Sequence, residues 1–189
     1  MTDASSTGQA PVLRDATPDD VAAVVAVATA AYRATGPDAG WTSEGHLLGG
    51  ERTNPTEVLD AITAAATRVL VSTVDDVVVG VIKVQQVPPD GAHFGLFAVD
   101  PRRQSGGTGS RLLDEAERIA AEEWGAAWME LEVIHQRTDL QDWYRRRGYV
   151  GTGDTRPFPY QDQRFGLPRR DDLVFDVFRR PLGRSPRGH

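Results

Sequence analysis

The chain has 189 residues, of which 40% are hydrophobic and 25% charged, as in one ordinary globular domain with a sizeable core. The net charge of -6 disfavours a nucleic-acid partner, and the absence of cysteine excludes disulfides and thiolate metal sites. The N-terminus has no basic start or apolar core of a secretory signal, and no apolar run approaches the roughly 20 residues that cross a bilayer. We therefore expect a cytoplasmic protein that binds neither membrane nor nucleic acid.

The two ends of the chain differ in composition from the rest. Residues 1–10 are rich in Ser, Thr and Gly, which predicts a disordered N-terminal tail. Residues 183–189 are predicted to form a flexible C-terminal tail. Between them, residues 11–182 are predicted to form a single domain.

The first elements are a short strand at 11–16 and a helix that starts at Thr17. Thr17 is a predicted N-cap, Pro18 suits the first turn, Asp20 stands where a capping-box acid belongs, and Gly36 can end the helix. The same signals predict a second helix over 54–68: Asn54 is the cap, Pro55 follows it, and Glu57 stands at the third helical position.

Three strands follow the second helix. Two β-branched runs, 68–73 and 77–86, are separated by Val74, Asp75 and Asp76, which predicts a hairpin. A further strand is predicted over 92–101, where Pro101 ends it.

The last part of the chain alternates helices and strands. Apolar residues repeat at helical spacing from Leu112 to Trp124, and Gly125 is a stop signal. A strand follows at 126–134, and then a short helix at 138–148, in which Thr138 and Gln141 are a predicted capping pair. The last two predicted strands are 149–153 and 172–180.

The predicted order is therefore β-α-α-β-β-β-α-β-α-β-β, an α/β or α+β mixed sheet with helices on its faces. The segment 154–170 is long for a loop without structure of its own, and such loops are usually lids, binding loops or disordered. Its Phe158, Tyr160 and Phe165 argue against plain disorder.

The segment "RQSGGTGS", residues 103–110, places a glycine-rich turn between a strand and a helix. A nucleotide P-loop needs a Lys after the glycines, and a dinucleotide loop needs a third Gly where this chain has Leu112. The pattern Q/R-x-x-G-x-G/A is matched in full by Gln104, Gly107 and Gly109. Amide groups at the start of a helix form an anion site, and glycine lets a phosphate approach the backbone.

This loop resembles the pyrophosphate loop of the GNAT family of acetyl-CoA-dependent N-acetyltransferases. The preceding "LFAVDPRR" and the later "DLQDWYRRRGYV" also resemble family segments, and the resemblance covers roughly residues 11–180. It implies the GNAT fold, with a mixed, mostly antiparallel sheet of about seven strands and helices on both faces, and acetyl-CoA as cofactor.

The resemblance assigns the cofactor to one continuous part of the chain. A backbone N–H on the strand before the loop is implied as the donor to the acetyl carbonyl, at Phe97, Ala98 or Val99. The diphosphate is expected on the loop and its rim, formed by Arg102, Arg103, Gln104, Ser105, Gly106, Gly107, Thr108, Gly109 and Ser110.

Tyr144 corresponds to a family tyrosine that lies near the cofactor sulfur. A hydroxyl there can protonate the thiolate that leaves when an amine attacks the thioester. The alternative is that Tyr144, like Trp143, is only a core aromatic. Many family members carry, seven residues earlier, an Asn that contacts the pantetheine or the substrate. This chain has Arg137 there, so the resemblance does not establish that contact here.

An alkyl ammonium must lose a proton before it attacks, and three residues are candidates for the base. His93, on the strand before the loop, titrates in the useful range and is the leading candidate. Glu132, on the neighbouring strand, is its rival, and Glu44 is a weaker option. A structural role is the alternative for each.

The acceptor is expected between the first two helices, in segment 36–53, and at the late loop. Aromatic and charged side chains there suit a small amine with apolar parts, although a structural role is an equal alternative for each. The candidates are Trp41, Thr42, Glu44, Phe158, Tyr160 and Arg164.

The sequence thus predicts an acyltransferase that moves an acetyl group from acetyl-CoA to a primary amine of a small molecule. Without cysteine there is no thiol for a cysteinyl acyl-enzyme, which favours direct attack in a ternary complex. The rival interpretation is a non-catalytic module that binds acyl-CoA as a sensor or partner domain. A homodimer stays open as the assembly.

Overall fold

Residues 11–33, 43–162 and 166–183 are described by the structure, a computed structural model, without the side chains of Gln104 and Ser105. The predicted N-terminal tail and nearly all of the predicted C-terminal tail lie outside these residues.

The described residues form a mixed sheet of seven strands and a separate pair of very short strands. The strands are β1 (Val12–Asp15), β2 (Leu48–Gly49), β3 (Thr67–Val74), β4 (Val77–Val87), β5 (Gly91–Val99), β6 (Trp128–Ile134), β7 (Val150–Pro157), β8 (Leu167–Pro168) and β9 (Val174–Pro181). The large sheet has the order β1-β3-β4-β5-β6-β9-β7. All its pairings are antiparallel except that of β5 with β6. The predicted mostly antiparallel sheet of about seven strands is confirmed.

The parallel pairing of β5 with β6 is short. It runs only from Gly91 opposite Trp128 to His93 opposite Glu130, after which the two strands are no longer paired. A gap therefore opens in the middle of the sheet, between the second half of β5 and the second half of β6.

Four α-helices lie on the sheet within the described residues. They are α1 (Val21–Arg33), α2 (Pro55–Thr63), α3 (Thr108–Arg118) and α4 (Thr138–Arg146). The start signals of the first two are confirmed: the Thr17 amide donates to the Asp20 carboxylate at 2.8 Å, and the Glu57 amide donates to the Asn54 side chain at 3.0 Å. Gly36, the predicted end of the first helix, lies outside the described residues.

The predicted cap of α4 is wrong. Arg137 occupies the N-cap position, Thr138 is already helical, and no side chain caps the helix. Gln141 instead donates to the His135 carbonyl at 3.0 Å and to the Asp176 carboxylate at 2.9 Å. Its amide is thus used to fix the end of β6 to β9, and the capping pair is lost to this tertiary contact.

Each face of the sheet has its own apolar core, so the helices cover both faces as predicted. On β4, Val81 packs into the cluster with Val24 and Ala28 of α1, and Ile82 packs into the cluster with Leu112 of α3. Successive strand residues point to opposite faces, and each such fully buried side chain contributes about 1.5–3 kcal/mol.

The late part of the chain contains more strand than predicted. β7 continues from Val150 to Pro157, so the first residues of the segment expected to be a loop, 154–157, are strand paired with β9. The very short strands β2 and β8 pair with each other. They join the segment after the first helix to the late loop, the two regions where the acceptor was expected.

Candidate active site

A cavity of about 630 Å³ opens where β5 and β6 separate. Its walls include residues 94–97 of β5, residues 131–134 of β6, and the side chains of Tyr32, Glu44 and Tyr144. This volume lies within the range of about 300–1,000 Å³ typical of small-molecule sites.

A bulge in β5 shapes one wall of this cavity. Val81 lies opposite Ala98, but Lys83 lies opposite Gly95, so β5 carries one extra residue between these pairs. Leu96 at the bulge has φ +45°, a conformation that is rare outside glycine and is often found at functional sites.

The predicted donors to the acetyl carbonyl lie at this bulge. Phe97 lines the cavity, whereas Ala98 and Val99 are fully buried and do not line it. Tyr32 of α1 donates its hydroxyl to the Phe97 carbonyl at 2.9 Å, which fixes the backbone here. Phe97 is therefore the best placed of the three.

The glycine loop leads from β5 into α3. Gly107 has φ +72° and ends a short 3-10 turn, Pro101–Gly106, directly before α3. A Cβ built on Gly107 would have no atom within 4 Å, so the space above its backbone is open. The first amide bonded along the helix is that of Arg111, which donates to the Gly107 carbonyl at 3.1 Å. The amides before it are those expected to be free to bind an anion.

The start of α3 packs tightly on the sheet. A Cβ on Gly80 of β4 would come within 2.9 Å of Leu112 and 3.1 Å of Thr108, so any larger residue would push against the start of α3. Thr108 is 3% exposed, and its side chain therefore supports the loop from below. The first turn of α3 is thus anchored on the sheet, which favours a preformed site at its start.

The charged rim of the loop differs from its prediction in one respect. The Arg102 guanidinium pairs with the Asp100 carboxylate at 2.8 Å instead of standing free beside the loop. Arg103, Gly106 and Gly107 are exposed, and the carbonyl of Ser110 accepts from Arg147 at 3.1 Å. Backbone amides thus remain the main feature of this site. The side chains of Gln104 and Ser105 lie outside the described residues.

Tyr144 projects from α4 into the gap between β5 and β6. It is 4% exposed, and its ring lies 5.8 Å from that of Phe94 and 5.0 Å from that of Trp143. No hydrogen bond joins its hydroxyl to another described residue. Burial raises the pKa of Tyr144 well above its ordinary value of 10.0. The hydroxyl therefore stays protonated, as a proton donor must.

The three candidate bases all line the cavity but differ in basicity. Burial, with Lys83 nearby, lowers the pKa of His93 from 6.5 to about 4, so its imidazole is neutral at pH 7. Burial raises the pKa of Glu132, whose carboxylate nonetheless pairs with Arg156 at 3.2 Å. Burial also raises the pKa of Glu44, although the charges of three arginines oppose the shift.

Two predicted acceptor residues lie outside the described cavity. Phe158 is 4% exposed and stacks on Phe175 with ring centroids 5.5 Å apart. Tyr160 accepts from the Leu173 amide at 2.7 Å through its hydroxyl. Neither lines the described cavity. Phe158 belongs to a small apolar core that adjoins it, and the ring of Tyr160 packs on Phe158 with centroids 5.1 Å apart. Glu44 does line the cavity, while Trp41, Thr42 and Arg164 lie outside the described residues.

Several cavity residues were not named in the sequence analysis, among them Tyr32, Arg52 and Lys83. Tyr32 is indistinguishable from a core residue of an apolar helix, but Lys83 had a visible signal: it is a lone charge within the β-branched run 77–84. A charged residue that points to the inner face of a strand is unusual and indicates a binding role.

Arg137 occupies the position where the resemblance implies Asn. It is 3% exposed, donates to the Ser43 carbonyl at 2.7 Å and pairs with the Asp139 carboxylate at 2.9 Å. It does not line the cavity. The side chain instead connects the segment before Glu44 to the start of α4.

Two further properties follow from the described residues. Among them, no cluster of three or more potential ligands is arranged to hold a metal ion. None of their helices combines the length and apolar character of a membrane span.

Solved structures with the same fold are numerous. The Ard1 protein of Thermoplasma volcanium shares 22% identity and a TM-score of 0.68, over 93% of this chain and 99% of that one. The ribosomal-protein-S18-alanine N-acetyltransferase of Escherichia coli shares 16% identity and a TM-score of 0.68, over 95% and 98%. The PaiA N-acetyltransferase of Thermoplasma acidophilum, solved in complex with coenzyme A, shares 16% identity and a TM-score of 0.66, over 92% and 99%. No curated protein sequence matches the chain significantly.

The family comparison agrees with the fold. The model of the acetyltransferase (GNAT) domain matches residues 44–158, which include β5, the glycine loop and Tyr144. The predicted acyltransferase class and the predicted acetyl-CoA donor are those of this family. Since the match covers more than half of the chain, the protein belongs to the GNAT acetyltransferase family.

Proposed function

We propose that this protein transfers an acetyl group from acetyl-CoA to a primary amine of a small molecule, by direct attack in a ternary complex. The observation that carries the proposal is the cavity at the gap between β5 and β6. It brings a protonated tyrosine, a bulged strand and a partly buried carboxylate together.

The chain offers a fitting site for acetyl-CoA. The backbone at Gly107 is open and stands at the start of α3, where amides and the helix dipole favour a diphosphate. The gap in the sheet leaves an edge of β5 along which an extended amide-bearing arm can lie like an added strand. When bound, acetyl-CoA supplies an activated thioester carbonyl and a thiolate leaving group.

Tyr144 is assigned as the acid. Its hydroxyl stays protonated, has no bonding partner among the described residues, and lies in the gap that the thioester arm would occupy. It can therefore donate its proton to the departing sulfur. Phe97 at the bulge is assigned as the backbone donor that stabilises negative charge on the carbonyl oxygen.

Glu44 is preferred as the proton acceptor. Its raised pKa brings it closer to neutrality, where a general base is most effective. His93 keeps a neutral nitrogen at pH 7, but with a pKa of about 4 it has a weaker affinity for the proton. Glu132 is held by Arg156 and ranks last.

A small acceptor suits the size of the cavity. The pocket of about 630 Å³ must hold both the reactive end of the donor and the amine. Among the structural relatives, the Escherichia coli enzyme is named for the alanine of a ribosomal protein, so a protein N-terminus is the alternative that the test must include.

The test is release of free thiol from acetyl-CoA across a panel of amines. The panel contains amino acids, polyamines, aminoglycosides and peptides with free N-termini. Turnover with a small amine supports the proposal, and turnover with peptides alone replaces its acceptor. Binding of CoA without turnover of any amine would instead support the non-catalytic module.

A further inference from the structure

Two basic side chains lie in the cavity without a carboxylate in direct contact. Arg52, before α2, and Lys83, on β4, both line the cavity and are half-buried. Among the described residues, no carboxylate oxygen lies within 4.0 Å of either side-chain cation. The Arg52 guanidinium lies 4.6 Å above the ring of Tyr32.

The carboxylates of the same cavity are in a different situation. Glu132 pairs with Arg156 at 3.2 Å, and Glu44 lies 3.8 Å from Arg33. Neither arginine lines the cavity, so each of these acids has its ion-pair partner outside it. The charge of Arg52 also acts on Glu44, but without direct contact. Glu57 accepts from the Thr53 hydroxyl at 3.3 Å, at the foot of α2.

The positive charge inside the cavity is therefore not balanced in direct contact. Burial lowers the pKa of Lys83, and the charge of Arg52 lowers it further, although Glu57 acts in the opposite direction. Half-buried cations that approach each other are unfavourable unless an anion joins them. A bound anionic group would remove this repulsion.

The two cations stand close to the reacting end of the cavity. Lys83 lies opposite Gly95, the residue before the bulge at Leu96. Because Gly95 has no side chain, none stands there between Lys83 and the bulge. Arg52 covers Tyr32, whose hydroxyl bonds Phe97 at the same bulge. An anion bound here would therefore lie in the same cavity as an amine at the bulge.

We infer that the acceptor is an amine that also carries a carboxylate, as an amino acid does, and that Arg52 and Lys83 bind this carboxylate. The inference rests on the proposed function and names the substrate class of the same site. Charge-assisted hydrogen bonds between these cations and a carboxylate supply affinity that an uncharged analogue lacks.

The experiment compares α- and ω-amino acids with their carboxamides, which have the same shape but no negative charge. We expect at least one pair in which kcat/KM for the amino acid exceeds that for the carboxamide by about 10- to 100-fold, the effect of a charge-assisted hydrogen bond. Lys83→Met and Arg52→Met should each reduce this ratio about tenfold or more. Lys83→Arg and Arg52→Lys should retain most of it.

Gln85→Met is the matched control, because Gln85 lines the cavity on the same face of β4 but is uncharged. Its ratio should equal that of the unchanged protein. The inference is overturned if no pair has a higher kcat/KM for the amino acid than for its carboxamide. It is also overturned if Lys83→Met lowers kcat/KM equally for both members of a pair.

Calorimetric titration of the same pairs into the protein saturated with CoA provides a readout that needs no turnover. Carboxylate-selective binding that Lys83→Met abolishes supports the inference even if no amine is acetylated, in which case only the proposed function fails. Equal binding of both members overturns the inference while the proposed function stands.

Discussion

Replacement of Gly107 by Ala tests whether the glycine loop binds the diphosphate of acetyl-CoA. Gly107 has φ +72°, and a methyl group there would meet no protein atom within 4 Å. The cost to folding is therefore the left-handed backbone alone, roughly 1–2 kcal/mol. The methyl group would, however, occupy the space through which a phosphate reaches the amides. Each charge-assisted hydrogen bond lost is worth about 1.5–3 kcal/mol, so affinity for CoA should fall at least about tenfold.

Gly153 provides a matched control for this change. It has φ +86° and also no atom within 4 Å of an added Cβ, but it lies in β7 at the exposed edge of the sheet. Both alanine variants should lower the melting temperature by a similar amount, about 2–8 °C in a chain of this size. Calorimetric titration with CoA should show weaker binding only for Gly107→Ala. Equal dissociation constants for the two variants would refute the assignment of the loop.

Three further changes test the chemistry and the fold. Tyr144→Phe should lower kcat by about 10²-fold or more and leave the KM for acetyl-CoA nearly unchanged, because the hydroxyl makes no described contact and serves only the leaving thiolate; equal kcat values would exclude Tyr144 as the acid. A base must be unprotonated, so kcat/KM should fall as the pH drops through the raised pKa of Glu44, above its ordinary 4.5. Glu44→Gln should abolish this acidic limb of the pH profile. If the limb instead lies near pH 4 and His93→Gln removes it, the base is His93. Asp20→Ala should lower the free energy of unfolding in urea by about 2 kcal/mol, because Arg14 and the Thr17 amide lose a charged acceptor. Since Arg14 holds the pKa of Asp20 below its usual range, this difference should be full above about pH 4 and shrink as the pH falls further; a difference that does not change with pH would contradict the role given to its charge.

The sequence predicted those elements whose signals are local. Asn54 caps its helix, and Asp75 and Asp76 adopt positive φ in a two-residue hairpin, because these residue types satisfy such backbone positions by themselves. β7 gave no such signal beyond its first residues. It is rich in Gly and polar residues, and its pairing depends on β9, some 20 residues later in the chain.

The proposed donor side of the site has local signals in the sequence for the same reason, and the acceptor side does not. The glycine loop and Tyr144 belong to compact motifs in which spacing along the chain determines position in space. Phe158 and Tyr160 were candidates for the acceptor only because they are aromatic and lie in a long loop. Their contacts with Phe175 and Leu173 are long-range packing that no local pattern reveals.

Arg137 shows how one departure from the family pattern can be understood from its contacts. An arginine is longer than the expected asparagine, and here it reaches past the cavity to the carbonyl of Ser43, next to Glu44. Its other end pairs with Asp139 in the first turn of α4, the helix that carries Tyr144. A buried guanidinium with these partners has little freedom to move, since each lost bond would leave a buried charge unsatisfied. The residue therefore fixes the distance between the segment of the proposed base and the helix of the proposed acid, and its charge opposes the rise in the pKa of Glu44.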